Sequence, residues 1–275
     1  MTSWLTEIRG RVPRPISIAL GLVPVAVIIV VWWYCTHGPV EERVLSPTIL
    51  PAPGEVLAVI PELVTRVDDQ GRLALVHHIF ASVQRVALGF FIGAAVALPL
   101  GVAMGAFAVG RSLFTPLMTV TGYVPLSTLI PLTMSWFGTG EVQKVAFLAI
   151  AFFVFLLPQV LKAVDGVGDV YLRTAQTLGA GRRQQIFRVL IPVAAPDLWQ
   201  ALRLAFGVGW TYIVLTEALV MTDGLGYLIT IAQRRGPREQ IYLVIIIITA
   251  IAWLVDFGWE RCGRWLFPWR RSERT

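Results

Sequence analysis

The chain has 275 residues, 56% of them hydrophobic and 15% charged, with a net charge of +6 and a mean hydropathy of +0.70. Soluble domains carry roughly 25% charged residues, because water-facing positions need polar cover. Disorder, a disulfide-stapled secreted module and most soluble enzymes are excluded; a polytopic membrane protein is indicated.

Arg9, Arg11 and Arg14 precede the first apolar run, Ile16 to Tyr34. That run exceeds a secretory core of roughly 7–15 residues and no small-residue cleavage site follows it, so a retained signal-anchor with a cytoplasmic N-terminus is predicted. Val44 to His78 then holds Leu50-Pro51-Ala52-Pro53-Gly54 and an amphipathic stretch from Glu55 to about Val67, a short helix on the outer surface. Val86 to Gly110 is uncharged between Arg85 and Arg111 and gives the second span. The third, Ser112 to Gly140, contains Pro116, Pro125 and Pro131, which predict a kinked or partly broken helix. Val145 to Leu161 is the fourth, with Lys144 and Lys162 expected to snorkel. Pro192 to Val220, carrying Asp197, Arg203 and Glu217, is the fifth. Thr222 to Gln240 reads as a second surface helix, and Ile241 to Val255 as the sixth span, extending toward Cys262.

The expected fold is all-α with about six transmembrane helices. Residues 1–43 form the N-terminus and first span, 44–80 an extracytoplasmic segment, 81–262 the core with a cytoplasmic loop at 162–191, and 263–275 a cytoplasmic tail. Lys and Arg favour the segments this topology places inside by about two to one. They fall in gaps between spans rather than in one stripe with interleaved aromatics, so nucleic acid is not a partner. Trp32, Trp33, Trp265 and Trp269 lie near span ends as interfacial anchors. Cys35 and Cys262 flank the first and last spans and are expected on opposite faces, unpaired. His77 and His78 have no acidic or thiol neighbours at ligand spacing, so no metal site is expected.

Between Lys162 and Ile191, Leu172, Ala175 and Leu178 recur at helical spacing, and Gly179-Ala180-Gly181 supplies a cap and turn. Ile186, Val189 and Leu190 give a second short apolar face before Pro192. Residues alone allow two readings: a helix–turn–helix too short to stand alone whose apolar ridge needs a partner, or a solvated basic loop. This stretch resembles the coupling loop of binding-protein-dependent ABC transporter permeases. The family pattern is Glu-Ala-Ala, three residues, Gly, nine residues, Ile-x-Leu-Pro; here Arg173-Thr174-Ala175, Gly179 and Val189-Leu190-Ile191-Pro192 take those places. Arg173 replaces the leading acid. The stretches 50–53, 78–89 and 131–144, with Thr216-Glu217-Ala218 and Gly224-Leu225-Gly226, resemble the nitrate/sulfonate/taurine/bicarbonate branch.

The resemblance implies the MetI-like fold of type I ABC importer permeases and import of a small, usually anionic solute. It also implies a second permease copy, cytoplasmic ABC ATPases, an extracytoplasmic binding protein and an inner-membrane location. Arg173, Thr174, Ala175, Gly179, Ala180, Arg182, Arg183, Ile191 and Pro192 become the ATPase-coupling residues. No Gly-Lys-Ser/Thr phosphate loop occurs, so ATP and Mg would reside on the partner chain and this chain would not be an enzyme.

Glu217, Thr216 and Trp136 are candidates for the pathway or its gate. A mid-membrane carboxylate costs roughly 2.5–3.5 kcal/mol, so Glu217 faces either a wet cavity or a hydrogen-bonding neighbour in a helix interface. Arg234, Arg235 and Arg238 would attract an anionic solute or an acidic binding-protein face, unless they merely solvate a loop. Two rivals are weaker. An ion-coupled secondary transporter would need inverted repeats or clustered intramembrane charge. An integral membrane enzyme would need a convergent acid/base or metal constellation.

Overall fold

Away from water a backbone satisfies its hydrogen bonds only within helices or closed barrels, so uncharged apolar runs of this length become helices. The computed structural model describes residues 12–68, 70–220 and 222–271; Arg9, Arg11 and Arg274, counted in the charge bias, lie outside them. In chain order the helices are α1 (Arg14–Thr36), α2 (Pro53–Ala58), α3 (Ile60–Thr65), α4 (Ala74–Ala106), α5 (Ala108–Gly122), α6 (Leu129–Phe137), α7 (Glu141–Asp165) and α8 (Asp169–Thr177). They are followed by α9 (Arg182–Leu219), α10 (Leu225–Arg235) and α11 (Arg238–Leu266). No β-strand occurs among the described residues.

Helices α1, α4, α7, α9 and α11 are long and apolar enough to cross a membrane, and α5 with α6 makes a sixth if the bent pair is one span. The expected third span is broken: α5 and α6 meet at 84°. The break falls at Pro125; Pro116 lies within α5 and Pro131 in the first turn of α6. The second span begins at Ala74 rather than Val86, which brings His77, His78, Ser82 and Arg85 into the helix. The amphipathic stretch after Pro53 divides into α2 and α3, with Pro61, which has no N–H to donate, in the first turn of α3.

The chain forms two compact units. In residues 1–63 and 232–243, the Trp32 indole donates to the Pro51 carbonyl at 2.9 Å and the Tyr242 hydroxyl to that of Ile49 at 2.8 Å. The Arg43 guanidinium meets Glu55 at 2.8 Å, and Glu55 accepts the Ala52 N–H at 2.8 Å, capping α2.

In residues 64–231 and 244–275, the core is built on α4 and α7. A Cβ added at Gly89, Gly93, Gly101 or Gly105 would lie 2.5, 2.7, 2.5 and 2.3 Å from side-chain atoms of Leu148, Phe152, Val160 and Val164. Small residues at one face let the two backbones approach closely. The pairs keep one constant offset along the sequence, so α4 and α7 run parallel. The connection between them must therefore return across the layer, which is what the broken α5–α6 pair does. Helix α9 seats Gly209 against the Phe152 ring, and Phe90 contacts Phe152 and Phe206 edge-on at 5.3 and 5.1 Å. The C-terminal part of α11 joins the start of α9: Trp199 and Trp259 approach to 4.5 Å, and Arg203 binds Asp256 at 2.6 Å. Pairing is thus the role of Arg203 and Asp256.

Candidate functional site

The connection after α7 is built as the spacing predicts, up to a point. Leu178 closes α8, and Gly179 takes φ +78°. Gly179 donates to the Gln176 carbonyl and Ala180 to that of Ala175, both at 2.9 Å, the paired bonds of a Schellman cap. Ala175 is buried, whereas Val170, Tyr171, Leu178 and Phe187 are exposed. Of the face the spacing picks, Leu178 points outward with this apolar ridge, whereas Ala175 and Leu172 turn inward. Arg173, Thr174, Arg182 and Arg183 are solvent-facing or nearly so, and Ala180 is half-buried. Arg173 stands four residues after Asp169 at 3.5 Å, an exposed pair. Ile191 and Pro192 do not end a separate helix. The second short helix is the beginning of α9, wound as a π-turn over Gln185–Leu190, where Ile191 bonds back to Ile186. The wider turn relieves the clash that the Pro192 ring would otherwise have with the preceding turn.

At the opposite end of this unit lies a buried ionic cluster. Arg85 of α4 grips Glu141, the first residue of α7, with Nε and Nη2 at 2.6 and 2.7 Å. Its Nη1 reaches Glu217 of α9 at 2.7 Å, and it also pairs with the Asp223 carboxylate. Lys144 donates to Glu141 at 3.0 Å and to the Thr222 hydroxyl at 2.6 Å. Arg85 is 4% exposed, Lys144 and Glu217 not at all. Snorkelling, expected of Lys144, does not occur, because acceptors on α7 and the 222–226 turn satisfy the ammonium inside.

Glu217 is held from three sides. It accepts the Ser82 hydroxyl at 2.8 Å, the Arg85 guanidinium, and the Gly226 N–H at 2.9 Å; Ser82 in turn accepts the Leu225 N–H at 2.9 Å. The Gly224 N–H donates to His78 Nδ1 at 3.1 Å. Gly224 adopts φ +106°, and a Cβ there would stand 2.2 Å from the Glu217 carboxyl carbon. A Cβ at Gly226 would meet the Val214 carbonyl at 2.7 Å. The Gly-Leu-Gly sequence is thus required by the close pass of the backbone over a buried carboxylate. Thr216 is buried and donates to its own helix at the Ile213 carbonyl, 2.9 Å, while Trp136 is 61% exposed on α6. The three pathway candidates therefore do not converge. Arg234 and Arg235 are exposed at the end of α10, and Arg238 opens α11 half-buried.

Arg85, Ser82, Lys144, Glu141 and Asp223 escaped the sequence reading. His78, Ser82 and Arg85 are spaced four and three apart, one polar face on an apolar helix, and that periodicity was the available signal. Burial pushes the Asp223 carboxyl up, but the hydrogen bond and charge of Arg85 outweigh it and hold it below the usual carboxylate range. A depressed native value stabilises the fold above the unfolded value and is lost as pH falls through the native one. Thermal stability in detergent is expected to be independent of pH near neutrality, where this contribution is fully present, and to weaken only as pH falls below the ordinary aspartate range. Asp223→Asn should flatten that acid limb; an unchanged limb would contradict the assignment.

No group of three or more potential metal ligands occurs among the described residues. The charges in the cluster serve one another and the turn, an arrangement that clamps α4, α7, α9 and the turn together.

Comparisons with known proteins agree with this architecture. The chain is 32% identical to the taurine transport system permease protein TauC of Escherichia coli (strain K12) over 265 residues, 96% of this chain and 94% of that one. It is 27% identical to the nitrate import permease protein NrtB of Synechocystis, covering 85% and 84% of the two chains. Among solved structures, a chain of the inward-facing MetNI methionine ABC transporter superposes with a TM-score of 0.62 at 19% identity, covering 72% of this chain and 98% of that one, and so shares its fold. Residues 93–272 match the family described as binding-protein-dependent transport system inner membrane component. With parallel α4 and α7, a broken return span and the capped connection before α9, the chain belongs to that family of ABC importer permeases.

Proposed function

We propose that the chain lines one half of the pathway through which a small anion, of the taurine, sulfonate or nitrate type, enters the cell. The names of its relatives support that solute class. The observation that carries the coupling part of the reading is the segment 169–192: a Schellman-capped turn bearing exposed Val170, Tyr171, Leu178 and Phe187, an apolar ridge suited to a groove on another protein. On this reading the groove belongs to a cytoplasmic ATPase that carries ATP and Mg, and the chain itself hydrolyses nothing. The loop, both termini and the basic C-terminal tail then lie on the cytoplasmic side, and the ionic cluster on the outer side. A second copy completes the pathway, and an extracytoplasmic binding protein delivers the solute. Arg85 and Lys144 are each matched by carboxylates, so solute selection is assigned to the binding protein rather than to a fixed cation in this cluster. Arg234 and Arg235 are exposed where such a protein would dock.

The test is uptake into proteoliposomes with the ATPase and binding protein supplied. ATP-dependent uptake is expected, and uptake that continues without ATP would defeat the proposal in favour of ion-coupled transport. Gly179→Val places a Cβ on a left-handed residue, costing roughly 1 kcal/mol or more, although the added atom itself meets nothing within 4 Å. Solute-stimulated ATPase activity and uptake should therefore fall while membrane insertion persists. Gly179→Asn, which tolerates that backbone, should retain more of both. Normal coupled turnover in the valine variant would remove Gly179 from the coupling role.

A further inference from the structure

The exposed side of the last four turns of α11 carries features outside the sites described above. Trp253, Phe257, Arg261 and Trp265 follow one another at four-residue intervals, hence on one face. Trp253, Phe257 and Trp265 are 66, 42 and 79% exposed. The Trp253 and Phe257 rings stack at 5.8 Å, and the Arg261 guanidinium lies over the Phe257 ring at 5.9 Å. An open groove of about 970 Å³ is lined by Gly258, Arg261, Cys262, Arg264 and Trp265. Of the acids of this segment, Asp256 holds Arg203 at 2.6 Å, and Glu260 is shared between Arg203 at 3.4 Å and Arg264 at 4.0 Å. Arg261 makes no ion pair among the described residues.

A 29-residue helix exceeds the roughly 20 residues that cross a hydrocarbon core, so its last turns stand at headgroup depth. There, an apolar aromatic surface continues directly into guanidinium groups. That order matches an amphiphile with acyl chains beside the Trp253 and Phe257 rings and a negative head at Arg261 and Arg264. Basic sites at the ends of spans select anionic lipid heads, and guanidinium forks suit phosphate oxygens. We propose that this groove is a binding site for an anionic phospholipid.

The test uses the full-length protein in micelles carrying dioleoyl phosphatidylglycerol or dioleoyl phosphatidylcholine, with retained lipid counted by native mass spectrometry. Wild type should retain the phosphatidylglycerol in preference, with salt weakening it. R261Q/R264Q should bind it at least tenfold more weakly, at about fivefold per arginine, with phosphatidylcholine binding unchanged. R261K/R264K should restore most of the difference, which separates lost charge from a disturbed fold. Equal retention of the two lipids, or no loss in the glutamine variant, would overturn the proposal. So would efficient disulfide formation between Cys262 of two copies in lipid-depleted protein, which would show a second copy covering the groove.

Discussion

Arg85→Ala is expected to leave little folded protein. The substitution strands Glu217 with no exposure to water, and removes the shared partner of Glu141 and Asp223. Deleting one member of a buried ion pair typically costs about 3–5 kcal/mol, because the remaining charge stays desolvated and unpaired. That is a large part of the stability of most domains. Thermal melting in detergent and the yield of monodisperse protein would both register it. Arg85→Lys should rescue only part, since an ammonium cannot fork across Glu141 while reaching Glu217. The informative contrast is Arg111→Ala at the other end of the unit. Arg111 pairs with Asp165, but the two side chains are 45% and 42% exposed, and such pairs contribute about 0–1 kcal/mol. An Arg85 variant that melted with wild type would mean that the cluster is not what holds α4, α7 and α9 together.

Glycine substitutions along α4 should have effects of similar size for a different reason. At Gly93 an added Cβ meets the Ala149 carbonyl at 2.8 Å and the Phe153 N at 3.1 Å, as well as the Phe152 Cβ. Backbone atoms cannot rotate away, so α4 and α7 would have to separate. Gly93→Ala is expected to cost about 1–3 kcal/mol, and Gly93→Leu to abolish the fold. Gly207 of α9 is the control, with nothing within 4 Å of its added Cβ. Gly207→Ala should be neutral or stabilising by up to about 1 kcal/mol, through helix propensity. Melting temperatures of the three variants in one detergent decide the matter. Equal behaviour at Gly93 and Gly207 would show that the close approach of α4 and α7 is not needed.

Together these results would describe a unit whose two ends are held by unlike devices. At the end bearing the turn 222–226, charge is buried and every member has a partner. At the end bearing the 166–181 loop, contacts are exposed ion pairs and a capped turn with an uncovered apolar ridge. If the proposed coupling to an ATPase holds, motion transmitted from it would enter at the loosely held end. The clamped end would turn with it as a body.

The apolar runs, their number and the capped turn at Gly179 were legible in the sequence, because local physics writes them. A stretch of uncharged residues must satisfy its backbone internally, and a glycine between two helical faces marks a left-handed cap. The proline positions in 112–140 likewise announced a discontinuity, although only the structure gave its angle. Arg85 and Lys144, by contrast, read as charges flanking spans, where they would ordinarily reach for water. Their burial depends on Glu141, Glu217 and Asp223, brought from positions 56 to 138 residues away from Arg85, and no local pattern specifies that meeting. The glycines of α4 were visible as letters, but their purpose required knowing that α7 runs parallel beside them. What the sequence determined by itself was therefore which segments leave water and where the chain turns. Which faces those segments present to one another, and which charges are satisfied inside, was decided only by tertiary structure, because burial is a property of neighbours rather than of residues.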